Sequence, residues 1–219
     1  SVWRRMFPDR FEPRVLSAHA GMNRYVWNLR LSDPVMVEDA VLWGSPRGPE
    51  VPPGRYEVRL AVGDEWSMSV PLDVVADPRL DIPREAHESR YTLARELYEH
   101  LNRSHSVIRQ ARSVREQAKA IAAVTDNELI EDGAESLAAR LTEVETMVLQ
   151  TKSRAPQDIL NFTPMLDNQI LYLMDVVESA PGEPTAASVD RFNELSAQLG
   201  EIEAEFVEIL NKDLTQFQN

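Results

Sequence analysis

Ten of the 14 prolines fall within residues 1–83, and only four are spread over the remaining 136 residues. A helix interior tolerates almost no proline, because the ring removes an N–H and clashes with the preceding turn. The chain is therefore confined to short strands and loops up to about residue 80, and is free to form long helices after it. Charge divides at the same place. Residues 1–80 carry 10 Lys/Arg against 11 Asp/Glu, and residues 81–219 carry 13 against 25, so nearly all of the net −13 belongs to the second part. Two domains are expected, 1–80 and 81–219, giving an α+β chain whose two kinds of structure are segregated.

In the first part the clearest signal is a hairpin. Tyr56, Val58, Leu60 and Val62 alternate with Glu57, Arg59 and Ala61, the period of a strand with one buried face. Gly63-Asp64 reads as a two-residue turn, and Trp66, Met68, Val70, Leu72 and Val74 form the returning apolar face. Asn23–Arg30 predicts a third strand, and weaker strands are expected near Trp3 and Val15. A free-standing immunoglobulin-type sandwich uses about seven strands, so this small sandwich is short of partners. All four tryptophans lie here. Trp27 and Trp66 fall in alternating strands and are expected in the core. Trp3 and Trp43 are the candidate contact residues, for a neighbouring domain or for sugar rings stacking on exposed indoles.

The second part reads as four amphipathic helices in an antiparallel bundle. The first follows Pro83, with Asp81 as its expected cap, and runs to about Val124. Its seam is Ala94, Leu97, Leu101, Ile108, Ala111 and Ala118, widened by Leu93, Val107, Val114 and Ile121. At about 40 residues it is the longest, roughly 60 Å. Ile130, Ala134, Leu137, Leu141, Val144 and Val148 mark the second helix, and Leu166, Ile170, Leu173 and Val177 the third, after a Thr163-Pro164 start. Thr185 caps a fourth with Val189, Phe192, Leu195, Leu199, Ile202, Phe206 and Leu210.

Several chemistries have no residues to carry them. Without cysteine there is no disulfide, thiolate nucleophile or cysteine-ligated metal. His100 and His105 stand about 140° apart around a helix and do not share one face for a metal, and no Glu-x-x-His pair occurs. His105 is expected as a hydrogen-bonded core residue. No phosphate-binding loop and no nucleophile elbow is present. Glu143 with Glu145, and Glu203 with Glu205, lie two apart and read as solvated faces. No catalytic, cofactor-binding or metal residue is assigned. The acidic balance argues against nucleic acid as a partner, and no apolar run reaches 18 residues, so no membrane span is expected. The start at Ser1 reads as a removed leader or a cut from a longer protein.

Gly21–Arg30, Pro53-Gly54-Arg55-Tyr56-Glu57-Val58-Arg59-Leu60 and Asp77-Pro78-Arg79 resemble the segment that follows the propeller in bacterial BNR-repeat, sialidase-like or sortilin-type proteins often described as glycosyl hydrolases. Leu160-Asn161-Phe162, Leu166-Asp167-Asn168-Gln169 and Phe192-Asn193-Glu194-Leu195 are similar to recurring features of the helical tail in the same family. The resemblance implies an Ig/fibronectin-like module and a helical tail, with the propeller missing. No Ser-x-Asp-x-Gly-x-Thr-Trp box occurs, so no functional residue carries over. It implies a non-catalytic C-terminal accessory region whose partner is its own propeller, in an exported protein. The alternatives are a carbohydrate-binding module using Trp3 or Trp43, and a bundle that forms a homodimer through its wide apolar stripes.

Overall fold

A computed structural model describes residues 16–218. The weaker strands expected near Trp3 and Val15, and the candidate contact residue Trp3, lie outside the described residues. Within them the fold is α+β, a two-stranded antiparallel sheet and four helices.

Strands β1 (Gly54–Val62) and β2 (Trp66–Val74) pair over their full length, from Gly54 opposite Val74 to Val62 opposite Trp66. The turn is one residue longer than the sequence suggests, Gly63-Asp64-Glu65, and Gly63 takes the φ of +56° that favours glycine. The strand expected over Asn23–Arg30 does not form. Leu29 sits at a φ of +57°, which interrupts extended pairing, and among the described residues Arg30 makes an isolated antiparallel bridge with Glu50.

Helix α1 spans Arg84–Ala122, 39 residues and about 58 Å. Its N-cap is Pro83 without a side-chain cap, so Asp81 does not take the role expected of it. Helix α2 spans Glu128–Val148, with the Asn127 side chain accepting from the Leu129 N–H. A 3-10 turn at Pro156–Leu160 leads to α3, Leu166–Glu178, which begins after Met165 rather than at the Thr163-Pro164 start. Helix α4, Ala186–Ile209, is capped by Thr185, whose hydroxyl accepts the Ser188 N–H at 3.1 Å. A π turn at Leu210–Leu214 carries the chain on to Gln218.

The helical stripes meet in one apolar core. Leu97, Leu101 and Ile108 of α1, Leu137, Leu141 and Val144 of α2, Ile170, Leu171 and Met174 of α3, and Leu195, Leu199 and Ile209 of α4 are buried together. Two positions fall outside the expected stripes. Ile121, at the end of α1, and Val189, on the first turn of α4, are exposed. The same core takes in Val37, Ala40 and Leu42, from an extended segment ahead of the hairpin. The strands themselves make their extensive contacts only with each other.

Candidate interaction surfaces

The segment between Arg30 and Val51 has almost no backbone pairing of its own, so its polar groups must be satisfied by side chains. The helices supply them. Asn102 on α1 accepts the Val35 N–H at 2.8 Å, and the adjoining turn presents His105, whose Nδ1 accepts the Val37 N–H at 3.1 Å. Asn168 on α3 brackets Trp43, accepting its N–H through Oδ1 and donating to its carbonyl through Nδ2, both at 2.9 Å. At the far end of α3, Glu178 accepts from Arg30 and from the Glu50 N–H, each at 2.7 Å. Gly48 lets the strap turn back beside Leu31, since a Cβ there would lie 2.2 Å from the Leu31 carbonyl oxygen.

Beneath the strap His105 and Asp167 are both fully buried, with Nε2 and Oδ2 3.5 Å apart. Because Nδ1 accepts a backbone N–H, the ring is neutral with its proton on Nε2. An imidazolium would set a second N–H against that of Val37. Burial, aided by the Arg112 charge, holds His105 down to about 4, and burial pushes the Asp167 carboxyl up to about 8. The contact is thus one between neutral groups near pH 7, and it is closed to any substrate.

Nearby, Glu145 of α2 is buried, receiving Arg112 at 2.6 Å and Arg115 at 2.7 Å. Arg112 also donates to Asp39 of the strap at 2.7 Å, and that bond holds the Asp39 carboxyl below its usual range. Glu145 is therefore not part of a solvated face as its spacing from Glu143 suggests. Glu203 and Glu205 are likewise paired, with Arg103 and Arg140. His100 joins α1 to α4 through the Ser196 hydroxyl at 3.0 Å and an edge-on contact with Phe192. Among the described residues no group of three or more acidic or histidine side chains is placed to hold a metal ion.

The outer surface carries one feature that the core does not explain. Pairing sets Tyr56 opposite Leu72, Val58 opposite Val70, Leu60 opposite Met68 and Val62 opposite Trp66, so these apolar side chains line one face of the hairpin. Val58, Leu60, Val62, Trp66, Met68, Val70 and Leu72 are all exposed. Trp66 is 48% exposed rather than part of the core, while Trp27 is half-buried against Tyr56, ring centroids 5.8 Å apart. The opposite face is polar, with Ser69 donating to Glu57 at 2.9 Å. Trp43, 45% exposed, lies on the strap and not on the hairpin, so these two exposed indoles sit on different parts of the chain. A second apolar feature is a groove of about 580 Å³ between α3 and the start of α4, walled by Tyr172, Leu173 and Val176. Arg191 at its edge is engaged by Gln169 and Glu194.

In comparisons with known proteins the chain matches no family model, no curated protein and no solved structure.

Proposed function

We propose that this chain is a non-catalytic accessory region of a larger protein, an antiparallel four-helix bundle that presents an incomplete Ig-like sheet to a neighbouring β domain. The observation that carries the reading is the exposed apolar face of the hairpin. A contiguous apolar strip on an exposed strand face supports reading it as an interaction surface, since the largest apolar patch of a protein is often functional. An isolated two-stranded hairpin is also only marginally stable in water, so this one gains order when its face is covered. The strip is about 30 Å by 10 Å from strand geometry, roughly 300 Å², well under the ~800 Å² per partner of a stable free-standing complex. A small patch of that size suits a partner tethered in the same polypeptide, where effective concentration replaces area. The resemblance to the region after the propeller in BNR-repeat proteins supports the same assignment, with the propeller as partner.

The test is the double substitution Val58→Lys/Val70→Lys, with bis-ANS fluorescence and thermal unfolding as readouts. A docking face predicts loss of most dye binding with the melting temperature held within about 2 °C. A melting temperature lowered by many degrees would mean the face is core for this chain and would remove the reading. Glycosidase activity from the purified chain on sialoside or aryl glycoside substrates would refute the non-catalytic assignment.

A further inference from the structure

The two edges of the hairpin are not equivalent. The ladder runs unbroken past Glu57 opposite Pro71. Proline has no N–H to give, so it fits a continuous ladder only where its nitrogen faces away from the partner strand. Pro71 therefore closes the outer edge of β2. Directly opposed residues in an antiparallel pair share one orientation, so the N–H and C=O of Glu57 point out from the free edge of β1, and with them those of Arg55, Arg59 and Ala61.

Just ahead of the hairpin the chain pairs briefly with itself. The Val51 N–H donates to the Leu29 carbonyl at 2.8 Å, and the Leu31 N–H to the Pro49 carbonyl at 3.0 Å. The chain then bends at Pro53, which has no N–H, so it is the register within the hairpin that fixes the side to which Arg55, Glu57, Arg59 and Ala61 point. The chain makes one short antiparallel pairing ahead of β1 and, among the described residues, does not continue it. Leu29 turns into the left-handed region. Trp27 packs on Tyr56. Asn23 then gathers the backbone of His19 and Gly21 into a loop, accepting from His19 at 3.1 Å and donating to both carbonyls. Among the described residues this pairing stops at the base, and none of them pairs with the outer side of Glu57–Ala61.

We infer that this open edge of β1 takes a strand from the partner, so that docking is strand addition at Glu57–Ala61 together with cover for the apolar face. The occupant is an extended strand of a β domain, with apolar residues at alternate positions, a base opposite Glu57 and an acid opposite Arg59. A second copy of this chain fits poorly. Two-fold pairing centred on the open stretch sets Arg59 against Arg59, and both copies carry the net charge of −13. The inference rests on the hairpin being a docking surface, but it concerns the edge, and its failure leaves the face reading intact.

The experiment uses the whole chain and a synthetic nine-residue strand peptide that alternates valine with threonine, lysine and glutamate. Isothermal titration calorimetry reports binding. Arg59→Pro places a proline at an outward N–H, mirroring Pro71, and Val58→Pro removes an inward one. The wild type is expected to bind saturably, and Arg59→Pro to bind at least tenfold more weakly while keeping β-type chemical shifts at Val58 and Val70. Val58→Pro should lose those shifts. No binding by the wild type, equal binding by Arg59→Pro, or loss of the hairpin in Arg59→Pro would each overturn the inference. A concentration-dependent dimer of the wild type that Arg59→Pro abolishes would put a second copy on the edge and overturn the choice of partner. Loss of bis-ANS binding in the Val58→Lys/Val70→Lys variant reads the face separately.

Discussion

Replacing Asp167 by Asn should flatten the pH dependence of stability between pH 6.5 and 8. Asp167 is fully buried and its carboxyl is pushed up from 3.8 to about 8 by desolvation. Over that window the folded chain holds a proton that the unfolded chain has released, so stability falls as pH rises, by about 1.4 kcal/mol per unit. His105 has the opposite sign. Its pKa is lowered from 6.5 to about 4, so the unfolded state holds the extra proton and stability rises with pH between those values. The two slopes oppose each other from about pH 4 to 6.5. Above 6.5 the histidine adds only about 0.4 kcal/mol more and Asp167 dominates, for a loss of about 2 kcal/mol by pH 8. Urea unfolding at half-unit steps across pH 6–8.5 measures this directly. Asp167→Asn keeps a carbonyl for the Asn168 N–H, which Oδ1 of the carboxyl accepts at 2.6 Å. It also sets an amide N–H₂ near the His105 Nε2–H, so it should be about 1–3 kcal/mol less stable at pH 6.5. Asp175, also raised by burial, is present in both proteins and its contribution cancels between them. The difference between the two curves therefore isolates Asp167. Parallel curves for wild type and variant would refute the assignment of a protonated buried carboxyl.

Four further outcomes follow from the clamps and from the α4 cap. Glu145→Ala leaves Arg112 and Arg115 without their buried partner and should cost about 2 kcal/mol in urea unfolding, a buried-pair loss discounted because both arginines reach solvent. Asp39→Ala, on the exposed end of the same network, should cost under about 1 kcal/mol. Asn168→Ala removes both bonds to the Trp43 backbone and should cost about 1–3 kcal/mol, with faster amide exchange and proteolysis confined to the strap. Thr185→Ala should cost about 1 kcal/mol, read as a lower melting temperature, by loss of the α4 cap.

The helices and the hairpin were legible in the amino-acid order because their signals are local. An apolar residue at every third or fourth position, or at every second, states which face a helix or strand will bury, whatever lies opposite. Thr185 and the seam of α1 followed from that logic alone. Asn23–Arg30 misled for the same reason: alternation describes a residue's readiness to sit in a sheet, and among the described residues the segment adds no strand to the hairpin, Arg30 making a bridge to Glu50. Trp66 and its neighbours show the complementary case, a strand face prepared for burial that finds nothing to bury against within the described residues.

What the order of residues could not state was which polar side chains would leave the surface. Glu145 differs from Glu143 only in the neighbour it meets, and that neighbour, Arg112, is 33 positions away. Asn168, Asn102 and His105 serve backbone groups 67 to 125 residues distant. His105 alone was legible, as a histidine on the apolar seam expected to be hydrogen-bonded in the core, and it is buried and accepts the Val37 N–H; nothing local marks Asn102 or Asn168 for the strap. Local periodicity thus determined the elements and the apolar stripes. Tertiary structure decided that an irregular strap lies on the helices, because an extended backbone without a sheet must find donors and acceptors on side chains that only the folded chain brings within reach.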